Sequence, residues 1–242
     1  MLLHAFPLSA HMWEPQLALA AHGWRVVAPH LRGFDDGASD PPASTVDDYA
    51  GDVIDLLDAL HVEDAVIGGL SMGGYVAFAI LRHAPRYVRG LILADTRSQA
   101  DTPESLESRK RMLQLLAEKG SSAVVDEMMP RLLGTSTRAS RPELGDRVRA
   151  LALSNPPEAI AGAIRALMTR PDSTPLLRTI HCPTLIVVGE EDLLTPPALS
   201  EEMRRAITGS DLVVLPGAGH LSSLEQTDAF NSALAAFLTH RL

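Results

Sequence analysis

The chain has a single cysteine, Cys182, among 242 residues. That excludes an internal disulfide and fits a reducing compartment. It has no run of Lys and Arg, and its formal net charge is −9. Nucleic acid is therefore not an expected partner, and the acidic balance bears on solubility rather than on fold. No apolar stretch approaches the roughly 18 residues that a membrane helix needs. Met1-Leu2-Leu3 has neither the basic segment nor the length of a secretion signal. These absences lead to the expectation of a cytoplasmic protein with no membrane partner. No cluster of Cys, His and carboxylates has the spacing of a metal site, so neither a metal nor a cofactor is expected.

What is present is a core. Hydrophobic residues make up 46% of the chain, enough for one sizeable domain with or without an insertion. Short apolar runs at 24–29 (WRVVAP), 65–68, 88–94, 184–188 and 212–215 read as strands. They are continuously apolar rather than alternating, as in parallel strands covered on both faces. Helical patterns lie between them. Thr45 caps one helix and Asp48 completes its box-like start, with Val46, Val53, Leu57 and Leu60 at helical spacing. Strands alternating with helices imply an α/β class with a mostly parallel sheet of about six strands. Residues 97–171 break the alternation with four helical patterns: Pro103 to Gly120, Ser122 to Leu133, Pro142 to Leu153 and Pro157 to Met168. The expected organisation is a core of 1–96 and 172–242, with 97–171 as a helical insertion.

Strand 65–68 runs into Gly69-Leu70-Ser71-Met72-Gly73-Gly74, and a helix follows. This is G-x-S-x-G in the strand–turn–helix setting that lifts a serine above a sheet edge. A turn that tight crowds the positions on either side of the serine, which accounts for Gly69 and Gly73. It also places the Met72 N–H at a helix N-terminus beside the serine hydroxyl. An ordinary Gly/Ser-rich connector is the competing reading, and a phosphate loop would carry a Lys after its glycines, which is missing.

A serine nucleophile needs a general base, and the base needs a carboxylate to orient it. Of nine histidines, His220 follows the last strand, in Gly217-Ala218-Gly219-His220. Sites in open parallel sheets gather at that edge. Most of the others look unsuited: His22, His61 and His83 sit near helix ends, His181 before a strand and His240 in the tail. Two carboxylates stand at strand ends, Asp192 and Asp95. Asp192 is favoured because its loop neighbours that of His220, while Glu190 and Glu191 are expected to face solvent.

Taken together, these segments make the sequence resemble an α/β hydrolase along nearly its whole length. LLHAFPLSAHMW is similar to the family's oxyanion loop, and PHLRGFDDGAS to the loop after its next strand. GLSMGG, GEEDLLTPP and GAGHLSSLE match the nucleophile, acid and histidine segments. The chain order Ser71, Asp192, His220 is that of the fold. Within the family it looks like the small esterases, enol-lactonases and cofactor-free haloperoxidases, whose helical cap residues 97–171 would match. The resemblance implies a serine carboxylesterase with Ser71, Asp192 and His220 as triad and the Phe6 and Met72 amides as oxyanion hole. His4 would then be a structural loop residue.

Three departures from the family pattern stand out. Ala5 replaces a usual glycine, which would cost about 1 kcal/mol if φ had to be positive. His30 stands where Asp is common. The two strands that usually precede the oxyanion loop have no counterpart, so strand 24–29 is expected to form a sheet edge. A second subunit, making a homo-oligomer, or a rearranged segment would cover it. Met128, Met129, Leu132 and Leu133 make an apolar patch that fits either the cap's core or a pocket for small apolar ester groups. The alternatives are an enol-lactonase, whose anionic ring ester would need a cation such as Arg131, Arg138 or Arg147, and a perhydrolase or haloperoxidase activity. A non-catalytic ligand-binding protein is a third class, disfavoured by the complete triad.

Overall fold

The computed structural model describes residues 1–34 and 42–242, so positions 35–39 of the PHLRGFDDGAS segment lie outside the described residues. Five strands form one parallel sheet: β1 (Leu2–Leu3), β2 (Ala65–Leu70), β3 (Val88–Ala94), β4 (Thr184–Gly189) and β5 (Asp211–Leu215). They pair in chain order. Successive side chains point to opposite faces, and the core divides accordingly. Leu91, Leu93 and Ile186 pack into a cluster with α1 (Val46–Ala59) and α2 (Met72–His83). Ile92, Ala94, Leu185 and Val187 pack with Trp13 of the 3-10 segment Ala10–His22 and with Phe230, Leu234 and Phe237 of α9 (Thr227–Arg241). Burial on both faces is what makes these strands read as unbroken apolar runs.

Local signals hold where they are strong. Thr45 accepts a bond from the Asp48 N–H at 3.0 Å, and Asp48 accepts one from the Thr45 N–H at 2.9 Å, closing the capping box. Between β3 and β4 lie α3 (Pro103–Leu132), α4 (Thr135–Ser140), α5 (Pro142–Leu153) and α6 (Pro157–Thr169). Gly120 interrupts α3 with φ 77°, which is the break that the sequence pattern places between its first two helices. The short α4 is an addition to that pattern. Beyond β4 come α7 (Pro197–Ala206) and the one-turn α8 (Ser222–Glu225). Among the described residues, no helix is long and apolar enough to cross a membrane.

Among the described residues the expected strand at 24–29 is missing, and the sheet has five strands rather than about six. Residues 24–29 run beside β1 but join it through a single bond, from the Leu2 N–H to the Val27 carbonyl at 2.8 Å. The reason is length: β1 offers only Leu2 and Leu3, and Pro29 has no N–H to give a ladder. This edge carries an apolar groove of about 210 Å³ between residues such as Leu2, Trp24, Val26 and Leu57.

Candidate active site

The turn from β2 into α2 holds Ser71 at φ 54°, ψ −110°, a strained backbone for a residue with a side chain. Its geometry requires the glycines around it. A Cβ on Gly69 would lie 2.1 Å from the Gly73 backbone, and one on Gly73 would lie 2.1 Å from the Leu3 carbonyl. The Ser71 N–H is anchored to the Ala94 carbonyl at 2.9 Å. Thr96 Oγ1 donates to the Ser71 carbonyl at 2.9 Å. As the first residue of α2, Met72 has an N–H with no partner inside the helix.

His220 and Asp192 meet as the sequence reading expects. Their side chains are buried, and Nδ1 of the imidazole lies 2.8 Å from Asp192 Oδ2. Three further donors converge on the carboxylate. The Leu194 and Thr195 N–H groups reach Oδ1 at 2.8 and 3.0 Å, and Thr195 Oγ1 reaches Oδ2 at 2.6 Å. Burial pushes the Asp192 carboxyl up. The facing His220 and the Thr195 bonds outweigh it and hold the group below the usual carboxylate range.

Asp95, the competing carboxylate, does not touch the histidine. It is fully buried, accepts the Gly189 N–H at 2.8 Å and the Ser222 hydroxyl, and has a positive φ of 43°. Burial and the nearby Asp192 charge push its carboxyl well above the ordinary value, more than those two bonds pull it down. It thus ties the end of β4 to the residue two places after His220.

The acid and histidine loops are also fastened to the helices between β3 and β4. Glu225 is buried and accepts the Gly134 N–H at 2.8 Å and the Leu221 N–H at 3.1 Å. Glu191 does not simply face solvent: it accepts the Ser136 N–H at 2.9 Å and the Ser136 hydroxyl. A Cβ on Gly219 would lie 2.1 Å from the Gly134 nitrogen, so the two loops touch backbone to backbone.

A cavity of about 370 Å³ opens over these groups, with Phe6, Ser71, Thr195 and His220 on its wall. Of the expected apolar patch, Met128 lines it. Met129, Leu132 and Leu133 do not: they pack into the core cluster that also holds Val125 and Val148. Of the three candidate cations, Arg131 lines the cavity. Arg138 bonds Thr135 at 3.3 Å and Arg147 bonds Glu14 at 3.1 Å, and neither lines it. The sequence reading missed Arg97, Arg109 and Asp101, which do line it.

The loop bearing Phe6 is held by His4. Its Nε2 accepts the Leu31 N–H at 3.1 Å, and its Nδ1 lies 3.1 Å from the Ala5 carbonyl, so the ring bridges two loops as a neutral group. Complete burial pushes the imidazole down to about 3. Ala5 is not among the described non-glycine residues with positive φ, which are His61, Ser71 and Asp95, so its methyl group brings no backbone strain. His30 bonds the Phe34 carbonyl at 2.9 Å. Among the described residues, no three His, Cys, Asp or Glu side chains are grouped to hold a metal ion.

A family model described as "Alpha/beta hydrolase family" matches residues 1–233, and the chain belongs to that family. Among curated relatives, it is 29% identical to 3-oxoadipate enol-lactonase 2 of Acinetobacter baylyi over 229 residues, covering 94% of this chain and 83% of the relative. Among solved structures, a thermophilic esterase from Thermogutta terrifontis, with malate bound, is 41% identical. It superposes with a TM-score of 0.94, covering 98% of this chain and 88% of that one. The enol-lactonase from Burkholderia xenovorans LB400 is 28% identical with a TM-score of 0.90, covering 99% and 90%. The fold is that of the α/β hydrolases, built on five parallel strands.

Proposed function

We propose that this protein is a serine hydrolase of small carboxylic esters. One observation carries the reading: a backbone-strained serine at a helix N-terminus shares a cavity with a histidine bonded to a buried carboxylate. In this reading, Ser71 Oγ attacks the ester carbonyl while His220 Nε2 takes its proton. Asp192 holds Nδ1–H, fixing the tautomer and stabilising the imidazolium. The oxyanion that forms lies between the N–H groups of Phe6 and Met72, each worth about 3 kcal/mol in comparable holes. His220 returns the proton to the departing alkoxide, which leaves as the alcohol. Water, deprotonated by the same ring, then attacks the acyl-Ser71 carbonyl and releases the acid.

The helices of 97–171 act as the cap that shapes the cavity, and Met128 supplies an apolar contact there. The likeness to an esterase and to enol-lactonases supports ester-bond chemistry. The test is Ser71→Ala with p-nitrophenyl acetate. Turnover is expected to fall at least about a thousandfold, and unchanged turnover would refute the mechanism.

A further inference from the structure

Guanidinium groups outnumber carboxylates in the deep wall of the cavity. The Asp101 side chain is buried and receives Arg97 at 2.6 Å, Arg170 at 2.8 Å, and the Nε of Arg109. Each guanidinium carries five N–H donors, and one carboxylate accepts about four bonds. Arg170 also donates to the Leu167 and Gln99 carbonyls, and its guanidinium lies 4.2 Å from the Tyr75 ring centre. Arg97 and Arg109 are less committed. The Nε of Arg97 is buried with no hydrogen-bond partner among the described residues. Arg109 reaches Asp101 through Nε, and its two Nη groups have no bond to another described residue. Both side chains line the cavity and keep 18% and 19% exposure.

Two cations, Arg97 and Arg109, thus face the cavity beside one sheltered anion, and Arg170, outside the lining, adds a third charge to the same carboxylate. The remaining charged groups there, Glu104, Glu127 and Arg131, are exposed, where water and salt screen them. Sheltering cations beyond what one carboxylate needs costs desolvation and gives a neutral substrate nothing. Their placement is also specific to the nucleophile. Arg97 directly follows Thr96, whose hydroxyl bonds the Ser71 carbonyl, and Arg170 stacks on Tyr75, whose N–H approaches that same carbonyl at 3.4 Å.

We propose that Arg97 and Arg109 bind a carboxylate carried by the substrate, so that the preferred ester has an anionic group a short chain away from its reacting carbonyl. The inference rests on the serine-esterase reading of Ser71 and specifies its substrate class. A guanidinium fork pairs with a carboxylate through two parallel bonds, which would fix the ester's orientation over Ser71.

The experiment compares monomethyl glutarate with the uncharged methyl pentanoate, following acid release at constant pH. The wild type is expected to favour the anionic ester in kcat/KM by about tenfold or more. Arg97→Gln and Arg109→Gln are each expected to lower that ratio by about tenfold to a hundredfold. In the wild type, free glutarate is expected to inhibit methyl pentanoate hydrolysis competitively, and added salt to weaken it. This last measurement needs no variant to fold. Ser71-dependent turnover with no preference for the anionic ester, or no inhibition by glutarate, overturns the inference and leaves the esterase reading standing. No Ser71-dependent turnover of these esters or of p-nitrophenyl acetate overturns both.

Discussion

Asp95 and Asp192 stand at the ends of adjacent strands, both buried, yet their carboxyls are driven in opposite directions. Asp192 collects two amides, a hydroxyl and the imidazole. Asp95 has one amide and one hydroxyl, no cation among the described residues bonded to it, and the charge of Asp192 nearby. Location alone therefore does not decide which buried carboxyl carries charge. The number and kind of donors facing it do.

The sharpest way to break the comparison is a pair of amide substitutions. Asp192→Asn is expected to lower kcat/KM for p-nitrophenyl acetate by about ten-thousandfold, since the amide stabilises the wrong tautomer of His220. Asp95→Asn can still accept from Gly189 and bond Ser222, and is expected to cost less than about tenfold. The reverse order would move the acid to Asp95.

Stability separates the two next. Asp95→Ala leaves the Gly189 N–H and the Ser222 hydroxyl buried without a partner. It is expected to lower the unfolding free energy in urea by about 2–4 kcal/mol, against less than about 1 kcal/mol for Asp95→Asn. Equal losses would mean that Asp95 only fills space.

The smallest effect is the dependence of melting temperature on pH. The raised Asp95 pKa means that the folded state holds this proton more tightly than the unfolded chain does. Its contribution is present below the unfolded value of about 3.9 and is lost as pH rises through the folded pKa. Asp95→Asn is therefore expected to gain on the wild type as pH rises above about 3.9. Asp192 has the opposite sign: its contribution is present above about pH 3.9 and is lost as pH falls through its depressed pKa. A flat difference between Asp95→Asn and wild type would show that burial does not perturb Asp95.

What could be read in the sequence follows the range of the interactions. The Ser71 elbow lies within six residues and is fixed by backbone crowding, so its glycines announce it. The break at Gly120 and the Thr45 capping box are equally local. Asp192 could be chosen over Asp95 by the order of the loops, but the opposite directions of their pKa shifts follow from the His220 and Thr195 contacts of the one and from the burial of the other beside the Asp192 charge, which no spacing reveals. The residues 24–29 mislead because a β-branched run needs a partner, and β1 is two residues long. Arg97, Asp101, Arg109 and Arg170 span some seventy positions and meet only once the helices fold over the sheet. The ties from Glu225 to Gly134 and from Glu191 to Ser136 are long-range in the same way.

The break at Gly120 has a practical side for anyone reshaping the cavity. The half of α3 before it presents Ser105, Ser108, Arg109 and Met112 to the cavity and is secured near its start through Asp101. The half after it runs on to Gly134, which presses on Gly219 with no room for a methyl group. The two halves are thus anchored to different parts of the site, the first to the arginine cluster around Asp101 and the second to the histidine loop. A substitution that shifts the second half also shifts His220, whereas one in the first half acts on the cavity wall alone.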